Sequence, residues 1–189
     1  MRSRPAIDLY HLPQDVLRKI YSSPVAYDGP LSSEHTEYIG KPWQVFWQEN
    51  CYMGVDCLGI CKYHTTFLGP TLPNFEDWSK VLYYNTGLEM KPEEIWEVAW
   101  RCNMIERLFN LREGLTRNDL EKGDMLNHRY FDEPCRRGAI DVVGRVIDKK
   151  KFIKMIDEFY EHKGLDSEGI PKPETLKSLG IAKEPSHLL

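Results

Sequence analysis

The segment Val55-Asp56-Cys57-Leu58-Gly59-Ile60-Cys61-Lys62 sets a carboxylate, a glycine and a thiol at fixed spacing behind a long aromatic stretch. Each has its own chemical use. An ionised Asp56 accepts hydrogen bonds from ring N–H and amino groups. Gly59, with no Cβ, lets a bulky ring approach the backbone. A Cys61 thiolate is a ligand for iron. In this order the three groups form a grip for a cofactor. The same stretch admits a second arrangement. Cys57, Cys61 and His64 share a face if the helix continues, and with Cys51 they make up a zinc set. Gly59 opposes that continuation, because glycine commonly ends helices.

Helices must present these residues. Trp43, Phe46, Trp47, Cys51, Val55 and Leu58 recur at helical spacing after Pro42, and Gly59 is the expected stop. Asp56 and Cys61 then fall at or just beyond a helix end. A short helix is expected from Pro13 to Tyr21, with Val16, Leu17 and Ile20 on one side. Residues 22–40, rich in Ser, Pro and Gly, hold no period and are expected to run over the surface or cover a neighbouring domain. Asn74 is placed to cap a helix that ends at Thr86 and is closed by Gly87. The strongest helix runs from Pro92, with Glu93 and Glu94 at the favourable end of its dipole, to Arg112. Its expected apolar stripe is Ile95, Val98, Ala99, Cys102, Ile105 and Leu108 or Phe109.

Residues 119–144 are polar and broken by Pro134 and Gly138. A last strong helix spans Asp148 to His162, with Phe152, Met155, Ile156, Phe159 and Tyr160 inward and Gly164 as its stop. A helical turn follows from Pro173. No alternating strand pattern of useful length occurs. The expected fold is all-α, an irregular helical bundle with long loops, forming a single domain over 1–189 with a tail at 182–189.

Composition narrows the possible partners. With 41% hydrophobic residues and a net charge of −4, the chain reads as a packed globular protein with no basic footprint for nucleic acid. It holds no run of eighteen apolar residues, so no membrane span is expected and the localisation read from the sequence is cytoplasmic. Five cysteines at irregular spacing do not make a secreted disulfide framework. Cys102 is expected to be plain core, since free cysteine behaves as a small hydrophobe.

Asp-x-x-Gly-Ile-Cys followed by Lys-Tyr resembles the pterin-contacting and cluster-ligating segment of the aldehyde ferredoxin oxidoreductase family of tungsten enzymes. The resemblance continues in order along the chain, at Tyr38-Ile39-Gly40-Lys41-Pro42, Asn85-Thr86-Gly87-Leu88-Glu89-Met90 and Lys163-Gly164-Leu165-Asp166-Ser167-Glu168-Gly169-Ile170-Pro171. Its most specific block is Glu106-Arg107-Leu108-Phe109-Asn110-Leu111-Arg112-Glu113-Gly114. Ser3-Arg4-Pro5 and the aromatic segment around Trp43 are most similar to a dearomatising branch, the tungsten subunit of class II benzoyl-coenzyme A reductase.

The resemblance implies that Cys61 is one ligand of a 4Fe-4S cluster and that Asp56 holds the polar edge of a tungstopterin or molybdopterin. Gly59, Ile60 and Lys62 border the same cofactor. It also implies a proton-transfer role for His11, although that histidine is displaced from the family position, Pro5 replaces a glycine, and an ordinary surface histidine is the competing reading. A cubane takes four thiolates, and the chain has no Cys-x-x-Cys. The expected role is therefore the C-terminal part of a larger oxidoreductase, inactive alone. It would serve low-potential electron transfer with an aldehyde or aromatic acyl-coenzyme A. Its implied partners are an upstream domain or subunit with the other cysteines and most of the pterin site, and a ferredoxin or iron-sulfur electron-transfer subunit. The alternatives are a non-catalytic helical interaction domain and the small zinc module.

Trp43, Trp47, Trp96 and Trp100 stand in i, i+4 pairs and are expected to be packing residues first. Glu106, Arg107, Arg112 and Glu113 are expected to form a local salt-bridge lattice of little energetic weight. Lys149-Lys150-Lys151 reads as a solvated helix start. Asp166-Ser167-Glu168-Gly169 is a partial calcium-loop pattern without the full ligand set.

Overall fold

A computed structural model describes residues 12–34, 36–65, 72–119, 123–137 and 142–181. The readings made for His11 and for a tail at 182–189 lie outside them. Seven α-helices occur among the described residues: α1 Gln14–Tyr21, α2 Lys41–Leu58, α3 Phe75–Thr86, α4 Pro92–Arg112, α5 Arg129–Asp132, α6 Lys149–Lys163 and α7 Pro173–Ser178. The only β pairing among these residues is an isolated antiparallel bridge between Leu165 and Pro171. The fold is all-α.

Local chemistry explains the helix ends. The Asn74 side chain accepts from the backbone N–H groups of Glu76 and Asp77, and Asp77 accepts from the Asn74 N–H, so α3 begins in a reciprocal capping box. Asp148 caps α6 by accepting from Lys150 and Lys151. Pro92 opens α4, and Glu94 accepts from the Lys91 N–H at 2.6 Å. Gly59, Gly87 and Gly164 close α2, α3 and α6 in the left-handed conformation.

Helix α2 is the centre of the bundle and packs on α4 and α6, while α3 lies on α4. One cluster of buried side chains joins Leu17, Trp43, Phe46, Trp47, Phe75, Trp78, Ile95 and Trp96. A second joins Met104, Leu108, Ile156, Tyr160, Leu165, Leu176 and Leu179. Trp100 and Phe159 pack against both. Between α2 and α4, the buried Asn103 donates to Asn50 at 3.0 Å, and Asn50 donates to the Phe46 carbonyl at 2.9 Å.

Residues 22–34 do not leave the domain; they cover its aromatic core. Tyr27 stacks on Trp43 at 4.3 Å and Leu31 is buried. The indoles of Trp43 and Trp47 donate to the carbonyls of Tyr21 and Ser23 at 2.7 and 2.8 Å. Buried indole N–H groups need partners, and the last residue of α1 and the start of this loop supply them for Trp43 and Trp47.

Helix α4 departs from its expected stripe. Ile95, Ala99 and Leu108 are buried, but so are Trp96, Asn103, Met104 and Arg107, while Ile105 and Phe109 are about half exposed. Polar partners on α2 and on a later loop draw Asn103 and Arg107 inward, and that rotates the buried face away from Ile105 and Phe109.

Gly54 makes a small test of packing at the α2 contact. A Cβ there would lie 3.6 Å from the Phe75 and Trp78 rings and 3.8 Å from Ala99, all ordinary contacts. Helical glycine costs roughly 0.5–1 kcal/mol relative to alanine. Gly54→Ala is therefore expected to raise the unfolding free energy by about 0.5 kcal/mol in denaturant titration. A loss of stability would mean that this contact has no room to spare.

Candidate functional site

The motif forms where α2 stops. Gly59 turns left-handed at φ +68°, the Gly59 N–H donates to Asp56 O at 3.2 Å, and the Ile60 N–H donates to Val55 O at 2.9 Å. This double closure satisfies the last carbonyls and turns the chain out of the helix axis. Cys61 follows in extended conformation, and Lys62–His64 makes one 3₁₀ turn. Thr65, fully buried, donates through its hydroxyl to Lys62 O at 2.7 Å and anchors the far side.

The turn places the expected site residues on one exposed ledge. Asp56, Gly59 and Cys61 are exposed, and Ile60 and Lys62 are half-buried. A Cβ on Gly59 would meet nothing within 4 Å, so the space above its backbone is open. Lys62 Nζ lies 2.8 Å from Asp56 Oδ2 and 5.0 Å from the centre of the Tyr52 ring. With both side chains about half exposed, this ion pair is worth at most about 1 kcal/mol and yields readily to a stronger partner.

The cysteines separate by position. Cys51 is buried in the core, whereas Cys57 and Cys61 are exposed. No three His, Cys, Asp or Glu side chains gather as a metal site among the described residues, so the zinc set of Cys51, Cys57, Cys61 and His64 is not assembled here. Cys102 is not plain core: it is half-buried, and its sulfur lies 3.8 Å from that of Cys57. Burial, then the contact with Cys102, push the Cys57 thiol up to about 11.

The expected lattice of Glu106, Arg107, Arg112 and Glu113 is replaced by something stronger. Arg112 pairs with its exposed neighbour Glu113 at 3.2 Å, but Arg107 is buried. Its Nη1 and Nη2 donate to the two Asp124 carboxylate oxygens at 3.0 and 2.7 Å, and its Nε donates to Gly169 O at 2.8 Å. Tyr160 also donates to Asp124. Burial works to raise the Asp124 carboxyl, but the bonds from Arg107 and Tyr160 and the guanidinium charge hold it below the usual carboxylate range. Burial and the bond to Asp124 push the Tyr160 hydroxyl well above its ordinary value.

Gly169, left-handed at φ +79°, fits here because any Cβ would strike Arg107 and Tyr160. Asp166, part of the calcium-like pattern, instead accepts from the backbone N–H groups of Glu168 and Ile170, both at 2.9 Å. Sequence reasoning missed this network because Asp124 and Gly169 lie 17 and 62 residues from Arg107. The one local signal was Arg107 continuing the Trp96, Trp100, Asn103 line at spacings of three and four.

A cleft of about 1300 Å³ lies elsewhere, between residues 36–41, residues 127–137, residues 142–148 and the start of α6. The motif does not border it.

Helix α2 thus ends on an exposed carboxylate, an open glycine and an extended cysteine. Comparison with known proteins gives its kinship. The sequence model described as aldehyde ferredoxin oxidoreductase, domains 2 and 3, matches residues 11–181. The chain belongs to the aldehyde ferredoxin oxidoreductase family. It is 32% identical to the tungsten-containing aldehyde ferredoxin oxidoreductase of Pyrococcus furiosus over 68% of its own length and 19% of the relative's. Against the Pyrococcus horikoshii protein of the same description, identity is 30% over 67% of the chain and 19% of the relative. An aliphatic sulfonate oxidoreductase, WOR-like subunit, from Pyrococcus furiosus is 25% identical over 86% of the chain and 25% of that protein.

Among solved structures, a chain of the BamBC active-site complex of benzoyl-coenzyme A reductase with 1,5-dienoyl-CoA aligns with a TM-score of 0.52 and 25% identity. That alignment covers 72% of this chain and 18% of the other. The chain thus spans about a fifth of the length of the tungsten enzymes it matches. No helix among the described residues is long and apolar enough to cross a membrane.

Proposed function

We propose that this chain is the C-terminal part of a tungstopterin, iron-sulfur oxidoreductase and supplies one cluster ligand and part of the pterin site. The observation that carries the reading is the ledge at the end of α2. Its donor set fits a share of such a site: the exposed Cys61 thiol, the Asp56 carboxylate as acceptor and a glycine with open space above it. Cys61 would bind iron as the thiolate, Asp56 would accept hydrogen bonds from the pterin, and Ile60 and Lys62 would border the same group. When bound, the metal-pterin supplies the redox chemistry and the cluster relays electrons.

The chain's own work is to hold these side chains in place. The glycine closure of α2 fixes where Cys61 leaves the helix, and Thr65 fixes the return. Lys62, paired with Asp56 here, orients the carboxylate, and a pterin donor would compete for the same oxygens. The remaining cluster thiolates and most of the pterin contacts would come from the roughly four fifths of such an enzyme that this chain does not span. A ferredoxin or iron-sulfur subunit would exchange electrons with the assembly in the cytoplasm, and the substrate would be an aldehyde or an aromatic acyl-coenzyme A. The described residues act as one domain, a reading supported by Trp100 and Phe159 joining both hydrophobic clusters. For His11 the family resemblance is the sole support for a proton-transfer role, set against the plain surface histidine.

The test is metal content of the assembled enzyme. Cys61→Ser is expected to lower iron per mole and alter the cluster's magnetic resonance signal, since a hydroxyl is a poor replacement for a thiolate. Asp56→Ala is expected to lower retained tungsten or molybdenum while leaving the helical circular dichroism unchanged. Cys102→Ala serves as the control and should leave both metals at wild-type levels. Full iron in the Cys61 variant would remove the cluster assignment.

A further inference from the structure

We propose that Cys57 and Cys102 form a reversible disulfide that tethers the end of α2 to α4. The inference is independent of the cofactor reading above and rests on the two thiols themselves. Their sulfurs are in contact at 3.8 Å across a sequence separation of 45 residues, the Cys57 S–H pointing at Cys102. Cys57 is exposed and Cys102 half-buried, so a small reagent reaches the pair. Neither belongs to the cluster and pterin set proposed above, and neither serves the core, which Cys51 alone among these cysteines joins.

The chemistry needs an oxidant of one class, a low-molecular-weight disulfide. The thiolate of one cysteine attacks a sulfur of the reagent, forming a mixed disulfide and expelling one reagent thiolate. The neighbouring cysteine, as thiolate, then attacks the protein sulfur of that mixed disulfide and expels the second. Two protein thiols are oxidised to one disulfide, the reagent is reduced to two thiols, and the two protons leave with them. Contact between the sulfurs makes the second step intramolecular. Asp56 and Glu106 flank Cys57 and, with Cys102, disfavour its thiolate. The first step is therefore slow at neutral pH, and the pair rests as the dithiol until an oxidising pulse arrives.

The bond would act on the ledge directly. Cys57 lies within the last turn of α2, two residues before Gly59, so the cross-link would hold the Asp56 end of the helix against α4. Reduction would release it.

The experiment treats the reduced chain with oxidised glutathione under anaerobic conditions and sequences the cysteine peptides by tandem mass spectrometry. The expected product loses two hydrogens, carries no adduct at Cys57 or Cys102, and shows their peptides joined. Its thermal midpoint should rise by roughly 5 °C and return on reduction. Cys102→Ser should convert the product to a stable glutathione adduct at Cys57, because the resolving thiol is gone. That trapped adduct is a signature a mere packing contact would not give. Separate glutathione adducts on both residues of the wild-type chain would overturn the proposal. So would free alkylatable thiols at both positions while Cys61 and Cys135 react.

Discussion

Arg107→Ala is expected to cost about 3 kcal/mol of unfolding free energy, among the larger losses available to a single substitution here. The guanidinium holds three acceptors at once: both oxygens of Asp124 and the carbonyl of Gly169. Its removal leaves a charged carboxylate and a carbonyl without their strongest donor. Asp124 retains partial access to water, with 27% of its side chain exposed, which keeps the loss near the lower end of the range for broken buried pairs. Arg112→Ala, five residues on in the same family block, removes only an exposed pair and should change stability by less than about 1 kcal/mol.

The pH dependence gives a second reading of the same pair. Asp124 is held below its ordinary range in the folded chain, so the unfolded chain binds a proton there more readily. The stabilisation is fully present above the ordinary carboxylate range and is lost as pH falls through the folded value. In Arg107→Ala that acid-side slope should flatten. Denaturant titrations at several pH values measure both effects, and equal losses for the two arginine variants would remove the special role assigned to Arg107.

Trp96→Ala should be larger still, at about 4 kcal/mol. The indole is 3% exposed and sits among Trp43, Phe46 and Phe75 with ring centres 6.3, 5.5 and 5.7 Å away. Deleting it opens a cavity in the most crowded part of the core, and the stiff surrounding rings have little freedom to close it. Tyr84→Ala is the matching surface control, since that side chain is 81% exposed and its truncation should be close to neutral. A Trp96 variant within about 1 kcal/mol of wild type would mean that the aromatic cluster collapses onto the vacancy more readily than about 4 kcal/mol implies.

The helix ends were legible because their causes are local. Asn74, Pro92, Asp148, Gly59, Gly87 and Gly164 act through bonds made within a few residues, and each stands where its chemistry predicts. The inward face of α6 was legible too, since Ile156 and Tyr160 follow the apolar period. The buried face of α4 was not. Periodicity counts apolar residues, and it ranked Ile105 and Phe109 above Asn103 and Arg107. What decided the orientation was the supply of matching polar groups, Asn50 and Asp124, from elsewhere in the chain. The candidate site stood between these cases. Its residues are consecutive, so their common ledge at the helix end could be read from Gly59. The contact between Cys57 and Cys102 could not be read, because it depends on how α2 crosses α4.

The amide pair of Asn50 and Asn103 bears on that crossing. Large aromatic and aliphatic side chains tolerate many alignments of two helices, because greasy contacts are nearly indifferent to a slip of one turn. Two buried amides are not. A slip would leave each without its partner in a dry interior, at about 1–3 kcal/mol per orphaned group. The pair thus acts as a latch with one closed position, selecting a single alignment from the several that packing would accept. Everything carried by the far end of α2 inherits its address from that choice.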